Sequence, residues 1–244
     1  MIKVLYEDNH LLGVEKPVNV PVNEDRTGDS DLLSMGREYI REKYHKPGNV
    51  YLGLVHRLDR PVGGAVIFAR TSKAASRLSD MVRTHKMKKT YLAVLDGIPA
   101  EPEAELTDYL VKDHRTNMVR VTDEAHGKYS HLHYRTLAVR DGKTLVEIQL
   151  GTGRSHQIRV QFASRGTPLA YDQRYNPNPG SGQIALWACR LEFPHPVTKE
   201  PVVLNSLPPA QGAWKLFEES YVKYGNETKE EKEEKKIPAG MAVE

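Results

Sequence analysis

The sequence predicts an α+β fold: one catalytic-sized domain with a large, mainly antiparallel mixed sheet flanked by helices and loops. Three observations predict it. Five β-patterned segments follow one another between Lys88 and Leu150 with no helical pattern between them, whereas a doubly wound parallel sheet needs strands and helices in regular alternation. Helical patterns stand on either side of that run rather than within it. The 244 residues are 39% hydrophobic and 27% charged, a globular composition in a chain long enough to bury a core.

"IKVLYED" and "HLLGVEK" read as two short strands around a turn at Asn9. "DSDLLSMGREYIREKYHK" reads as a helix that Ser30 or Asp31 can cap and that Pro47-Gly48 stops. "GAVIFAR" is a short apolar run, hence a buried strand. The next segment, "TSKAASRLSDMVRTHK", places Ala74, Ala75, Leu78, Met81 and Val82 at helical spacing, with Thr71 or Ser72 as cap. "KKTYLAVLDG", "AELTDYL", "NMVRV", "SHLHYRTLAVR" and "TLVEIQL" carry the β pattern, with turn chemistry at Asp141-Gly142. "SHQIRVQFASRG" predicts a helix starting near Ser155 and closed by Gly166. Strands follow at "QIALWACRLEF" and "EPVVLNS", then a closing amphipathic helix, "PAQGAWKLFEESYVKY". The domain therefore runs over residues 1–224. Residues 225–244 form a charged tail, expected to be disordered or to fray as an exposed helix. No internal repeat is present.

Charge and cysteine content narrow the function classes. The net charge is +3, but Glu218 to Glu244 carry a local net of −3, leaving a mildly basic body. Such a body is compatible with a polyanion partner, although charge alone favours an ordinary soluble protein. Cys189 is the single cysteine. An intrachain disulfide and a thiolate metal cluster are excluded, and a reducing, cytoplasmic setting is expected. The amino terminus alternates apolar and charged residues without a signal-peptide core, and no stretch has the length of a membrane span.

Two dense stretches and one tyrosine can carry chemistry. In "HRLDRPVGGAVIFAR" an extended backbone sends Arg57 and Asp59 to one face and His56 and Leu58 to the other. Leu58 can then anchor in the core while Asp59 and Arg57 face a cleft. Pro61 fixes a backbone angle, and Gly63-Gly64 allow tight turning or a close approach. The competing reading is a surface turn with Asp59 bonded to backbone N–H groups. In "LGTGRSHQIRVQF" a glycine-flanked turn carries Arg154, Ser155, His156 and Gln157, with Arg159 about one turn on. Helix N–H groups there can hold an anion, although the stretch lacks a P-loop's Lys-Ser/Thr. Neighbouring side chains diverge, so Ser155 and His156 do not form a nucleophile pair. Tyr91 shares a strand face with Ala93 and Leu95, as a core tyrosine would. The histidines at 56, 131, 133 and 195 lack zinc-site spacing, and no metal site is expected.

Taken together, these stretches resemble the RluA-type family of RNA pseudouridine synthases. The family's Arg-Leu-Asp triplet is matched by Arg57, Leu58 and Asp59, and its basic residue and strand-opening tyrosine by Lys89 and Tyr91. Its Thr-Gly-Arg-(Ser/Thr)-His-Gln-(Ile/Leu)-Arg signature is matched from Thr152 to Arg159. Pro168, Asp172 and Tyr175 match a Pro-x-x-x-Asp-x-x-Tyr stretch; Phe193, His195 and Pro196 match Phe-x-His-Pro. With the opening "YED…EKP", the resemblance covers about residues 4 to 209, and the extra RNA-binding domain of many relatives is not expected before Tyr6. Departures stand at Asn19 and Tyr171, where the family has glycine. Val62-Gly63 replaces Thr-Ser, and Gln161 and Trp187 replace histidines. They bear on substrate fit more than on chemistry.

The resemblance implies the pseudouridine synthase fold, with its active-site cleft across the sheet, and isomerisation of a uridine in ribosomal or transfer RNA. The bond from ribose to uracil nitrogen 1 breaks, the base turns, and carbon 5 bonds to the ribose, with neither cofactor nor metal. Asp59 is implied as the catalytic carboxylate, by attack on the ribose or by proton removal. Arg159 is its expected partner cation, because a lone buried carboxylate is costly. Tyr91 is implied to stack on the uracil and take the carbon 5 proton. Arg57 fills the gap left by the flipped base, and Arg83, Lys86, Lys88, Lys89, Arg154 and His156 are candidate RNA contacts. No obligate protein partner, a monomer and no membrane are expected. Two rivals are a non-catalytic RNA-binding assembly factor of the same fold and a hydrolase pairing Asp59 with a second acid such as Asp172.

Overall fold

The computed structural model describes residues 2–25 and 27–236. Among the described residues, eleven strands form one sheet. They are β1 (Lys3–Glu7), β2 (Leu11–Lys16), β3 (Gly53–Leu54), β4 (Gly63–Ala69), β5 (Lys88–Asp96), β6 (Glu103–Asp113), β7 (Met118–Thr122), β8 (Lys128–Arg140), β9 (Lys143–Leu150), β10 (Leu186–Pro194) and β11 (Pro201–Asn205). The order is β1-β2-β4-β10-β5-β9-β8-β6-β7, with β11 also on β10 and β3 also on β4. Every pairing is antiparallel except β4 with β10, so the predicted fold class, a mixed and mostly antiparallel sheet, is what forms.

Helix α1 (Leu32–Lys43) starts where Asp31 accepts the Ser34 N–H at 3.0 Å, and it ends before Pro47. Helix α2 (Ser72–Arg83) starts where the Thr71 hydroxyl accepts from Ala74 N–H; Ala74, Leu78 and Met81 are buried, as the 3.6-residue period requires. Together α1 and α3 (Gln157–Ala163) cover one face of the sheet over Val14, Phe68, Tyr91 and Ile148. On the other face, α2 covers Ile67 and Leu191. Beside it a 3₁₀ helix (Gly212–Phe217) and α4 (Glu218–Lys236) cover Leu92, Val94 and Trp187.

One element differs from expectation, and another takes the second of its two expected forms. Helix α3 begins at Gln157, not near Ser155. The Gln157 side chain takes the Arg154 N–H at 3.0 Å and the Thr152 hydroxyl at 2.8 Å, which holds 152–156 as a loop, and His156 sits left-handed at φ 52°. The helix start expected to offer its N–H groups therefore lies about two residues further on. At the other end, α4 runs through the expected boundary at 225 as far as Lys236, and 237–244 lie outside the described residues.

The Gly63-Gly64 pair answers to packing rather than to a ligand. Here β4 runs parallel to β10, with Gly63 opposite Trp187 and Gly64 opposite Ala188. A Cβ on Gly63 would lie 2.1 Å from the Trp187 ring, and one on Gly64 would lie 2.3 Å from the Ala188 carbonyl. The tryptophan in place of a family histidine thus accompanies the glycine in place of a family serine. Gly63→Ser alone is expected to destabilise by about 1–3 kcal/mol through overpacking. Adding Trp187→His recovers most of that loss. A double-mutant cycle by denaturant unfolding checks it, and additive effects would refute the pairing.

Candidate active site

The segment before β4 is extended, and its alternation is as expected: His56 and Leu58 are buried, Arg57 is exposed and Asp59 is part-buried. The turn is closed by Val62 N–H donating to the Asp59 carbonyl at 2.9 Å. Lys16, fully buried at the end of β2, secures it from below. Its ammonium donates to the carbonyls of Pro17, Val20 and Arg60 at 2.9, 2.6 and 2.9 Å. Burial pushes Lys16 down to about 7, against the opposing charge of Asp59. All three ammonium hydrogens are placed, so this lysine sets the backbone next to Asp59 rather than meeting a ligand.

Asp59 opens on a cavity of about 480 Å³, within the roughly 300–1,000 Å³ range of small-ligand sites. Its Oδ2 accepts from Arg159 Nη1 at 3.2 Å, and the side chain is 28% exposed. Among the described residues no donor reaches Oδ1. Arg159, 4% exposed, also forks onto Asp172, with Nε to Oδ2 at 2.8 Å and Nη2 to Oδ1 at 2.7 Å. Burial opposes the guanidinium charge, but Asp172 and then Asp59 outweigh it, so Arg159 is held charged. Asp172 is fully buried and also accepts the N–H groups of Arg174 and Tyr175. It is committed to Arg159, which argues against its use as the second acid of a hydrolase.

Tyr91, buried on β5, lines the same cavity, and burial together with the Asp59 charge pushes its hydroxyl well above the ordinary phenol value. His156 lies with Nε2 3.9 Å from Asp59 Oδ2, and its Nδ1 is hydrogen-bonded to the Tyr175 hydroxyl at 2.7 Å. Tyr175 in turn lies under Arg159, whose guanidinium carbon is 5.1 Å from the ring centre.

The chain thus brings Asp59, Tyr91 and Arg159 together, with Arg57, Lys89, Arg154 and His156 around one cavity. Lys88 is not among them. It lines an adjacent cavity of about 400 Å³ that shares Lys89 and Leu150 with the first. Arg83 is paired with Asp80 on α2, away from the cleft. Sequence reasoning missed Lys16, Lys112, Asn117 and Arg174, and it gave Tyr175 no role. Tyr175 had a signal in the Pro-x-x-x-Asp-x-x-Tyr match. Lys112 and Asn117 had none, because they reach the cavity only through the β6–β7 hairpin.

Comparison with known proteins points to one family. Residues 10–164 match the family described as RNA pseudouridylate synthase. An uncharacterized RNA pseudouridine synthase of Bacillus subtilis, YhcT, is 30% identical over 86% of this chain and 69% of its own length. Ribosomal large subunit pseudouridine synthase C of Buchnera aphidicola is 34% identical over 72% of this chain, which spans only 54% of that relative. The solved structure of human RNA pseudouridylate synthase domain containing 4 superposes with a TM-score of 0.73 over 85% of this chain and 88% of that one, at 19% identity, a likeness of fold. By its motifs, its fold and these matches, the chain belongs to the RluA-type family of RNA pseudouridine synthases.

Proposed function

We propose that this chain isomerises a uridine in RNA to pseudouridine, with Asp59 as the essential carboxylate. The observation that carries this reading is the placement of Asp59. One of its oxygens is held by the buried Arg159, and the other is free to meet a nucleotide in a cavity lined by Tyr91. A protein that only bound RNA would have no use for a buried guanidinium shared between two carboxylates, since that arrangement costs desolvation.

In this reading the uridine leaves its stack at a cost of a few kcal/mol, and Arg57, exposed at the rim, takes its place. Asp59 Oδ1 acts on the ribose unit, by attack or by proton removal. Tyr91 meets the uracil as a neutral phenol that stacks on the ring. Its hydroxyl takes the carbon 5 proton as it gives its own hydrogen to Asp59, nitrogen 1 gains a proton from solvent, and Asp59 returns its proton to solvent, so that both side chains end as they began. Ribosomal RNA is the first substrate class to test, because several relatives are named ribosomal large subunit synthases; transfer RNA is the second. The setting is a cytoplasmic one.

The test uses RNA labelled with tritium at uracil carbon 5. Tritium is expected in the solvent, with the RNA mass unchanged. Free uracil would identify a hydrolase, and bound but unaltered RNA would identify an assembly factor.

Lys89, Lys112, Arg154 and Arg174 around the cleft are expected to contact phosphates. With four contacts, log affinity for single-stranded RNA falls against log salt with a slope of about −3. Removing one charge, as in Arg154→Gln, lowers the slope by about one contact's share. Filter binding from low to high salt checks this, and a flat line would refute it.

A further inference from the structure

We infer that His156 is a positioning residue for Asp59, held by Tyr175 as the neutral tautomer that carries its proton on Nε2. This inference rests on the isomerase reading for its catalytic meaning, but its geometry does not.

The argument starts at the Tyr175 hydroxyl. Its oxygen accepts the Val119 N–H from β7 at 2.9 Å and lies 2.7 Å from His156 Nδ1. Burial raises this phenol above its ordinary value, outweighing the lowering by the Val119 N–H and Arg159, so it keeps a hydrogen to donate. Among the described residues, His156 Nδ1 is the acceptor in reach. Val119 N is a donor, and the cation over the ring is another. The hydroxyl therefore donates to Nδ1. The opposite arrangement, with Nδ1–H donating, would leave the hydroxyl hydrogen without a partner in a half-buried place. In a neutral ring the remaining proton must then sit on Nε2.

The ring is neutral near pH 7. Burial pushes it below its ordinary value; Asp59 opposes, while Arg159, Arg174 and Lys112 reinforce the shift. Nε2 lies 3.9 Å from Asp59 Oδ2. That distance is too long for a hydrogen bond, and such contacts commonly tighten when substrate closes a site. Arg159 already holds the same oxygen. A second donor on Oδ2 keeps the carboxylate from rotating and leaves Oδ1 toward the nucleotide. Because Tyr175 takes its other bond from Val119, the β6–β7 hairpin is tied through two side chains to the catalytic carboxylate.

The test is a long-range ¹H–¹⁵N correlation spectrum of the full chain at pH 7 without RNA, with His156 assigned as the signal missing in His156→Gln. A protonated Nε2 and an unprotonated Nδ1 are expected; the reverse pattern overturns the inference. In tritium-release assays, His156→Phe is expected to lower kcat by about 10- to 100-fold, the effect of losing one hydrogen bond to a charged group, with KM little changed. Glutamine, whose amide nitrogen donates from nearly the same place, recovers most of that loss, and Tyr175→Phe falls between them. A His156→Phe enzyme with wild-type kcat would overturn the positioning role. Should the wild-type protein release no tritium from any RNA, the isomerase reading fails while the tautomer assignment still stands on the spectrum.

Discussion

Asp59→Asn is expected to abolish tritium release, with kcat lower by about 10⁴-fold or more, the scale of removing a group that reacts directly. Asparagine has the same shape, so the turn and the cavity persist. It lacks the anionic oxygen that must act on the ribose, whichever of the two routes operates. Stability should change little, because Asp59 is part-exposed and Arg159 keeps its two bonds to Asp172. RNA affinity should hold or rise, since a negative charge leaves a cleft that receives phosphates. Measuring release, melting and RNA binding on the same preparation separates chemistry from fold. Activity within tenfold of wild type would remove Asp59 from the mechanism.

Much of this fold was legible because most elements carry their own period. Helix α2 shows five apolar positions at helical spacing and a threonine cap, and β4 is seven apolar residues that are all buried. Legibility fails where a distant residue decides. The start of α3 depends on where the Gln157 side chain finds donors. The Trp214 and Phe217 spacing suits an α-helix as well as the 3₁₀ turn that forms. The parallel contact of β4 with β10 joins residues more than a hundred positions apart.

The site divides in the same way. Motif letters located Asp59, Tyr91 and Arg159, yet they did not say that Arg159 holds two carboxylates at once. Lys16 sits in an alternating apolar and charged strand, a pattern that reads as solvent-facing. It is buried because Arg60, 44 positions on, supplies a third carbonyl. The departures from the family pattern were read as matters of substrate fit. Trp187 and Gly63 are instead a packing pair, and Trp187 Nε1 donates to Ser206, which donates to Glu15. Asn19 and Tyr171, the two departures from the glycines of the family pattern, sit in the left-handed conformation at φ 63° and 61°. Asparagine tolerates it readily, and a bulky tyrosine only where its surroundings hold it.

Arg159→Met is expected to cost both fold and function, and a second substitution separates the two. Removing the guanidinium leaves Asp172 fully buried without a cation, a loss of about 3–5 kcal/mol. The same change takes the only hydrogen bond that the Asp59 carboxylate accepts among the described residues. In Arg159→Met/Asp172→Asn the buried charge is gone. Asparagine Oδ1 can still accept the Arg174 and Tyr175 N–H groups that Asp172 accepts now. Stability should therefore return to within about 1–2 kcal/mol of wild type, since replacing both partners of a buried pair is far cheaper than removing one. Activity should not return, because Asp59 still lacks the cation that orients it. Urea unfolding and tritium release on the three proteins check this. Recovery of activity together with stability would mean that Arg159 serves the fold alone. A single variant as stable as wild type would mean that the Arg159–Asp172 fork carries no structural load.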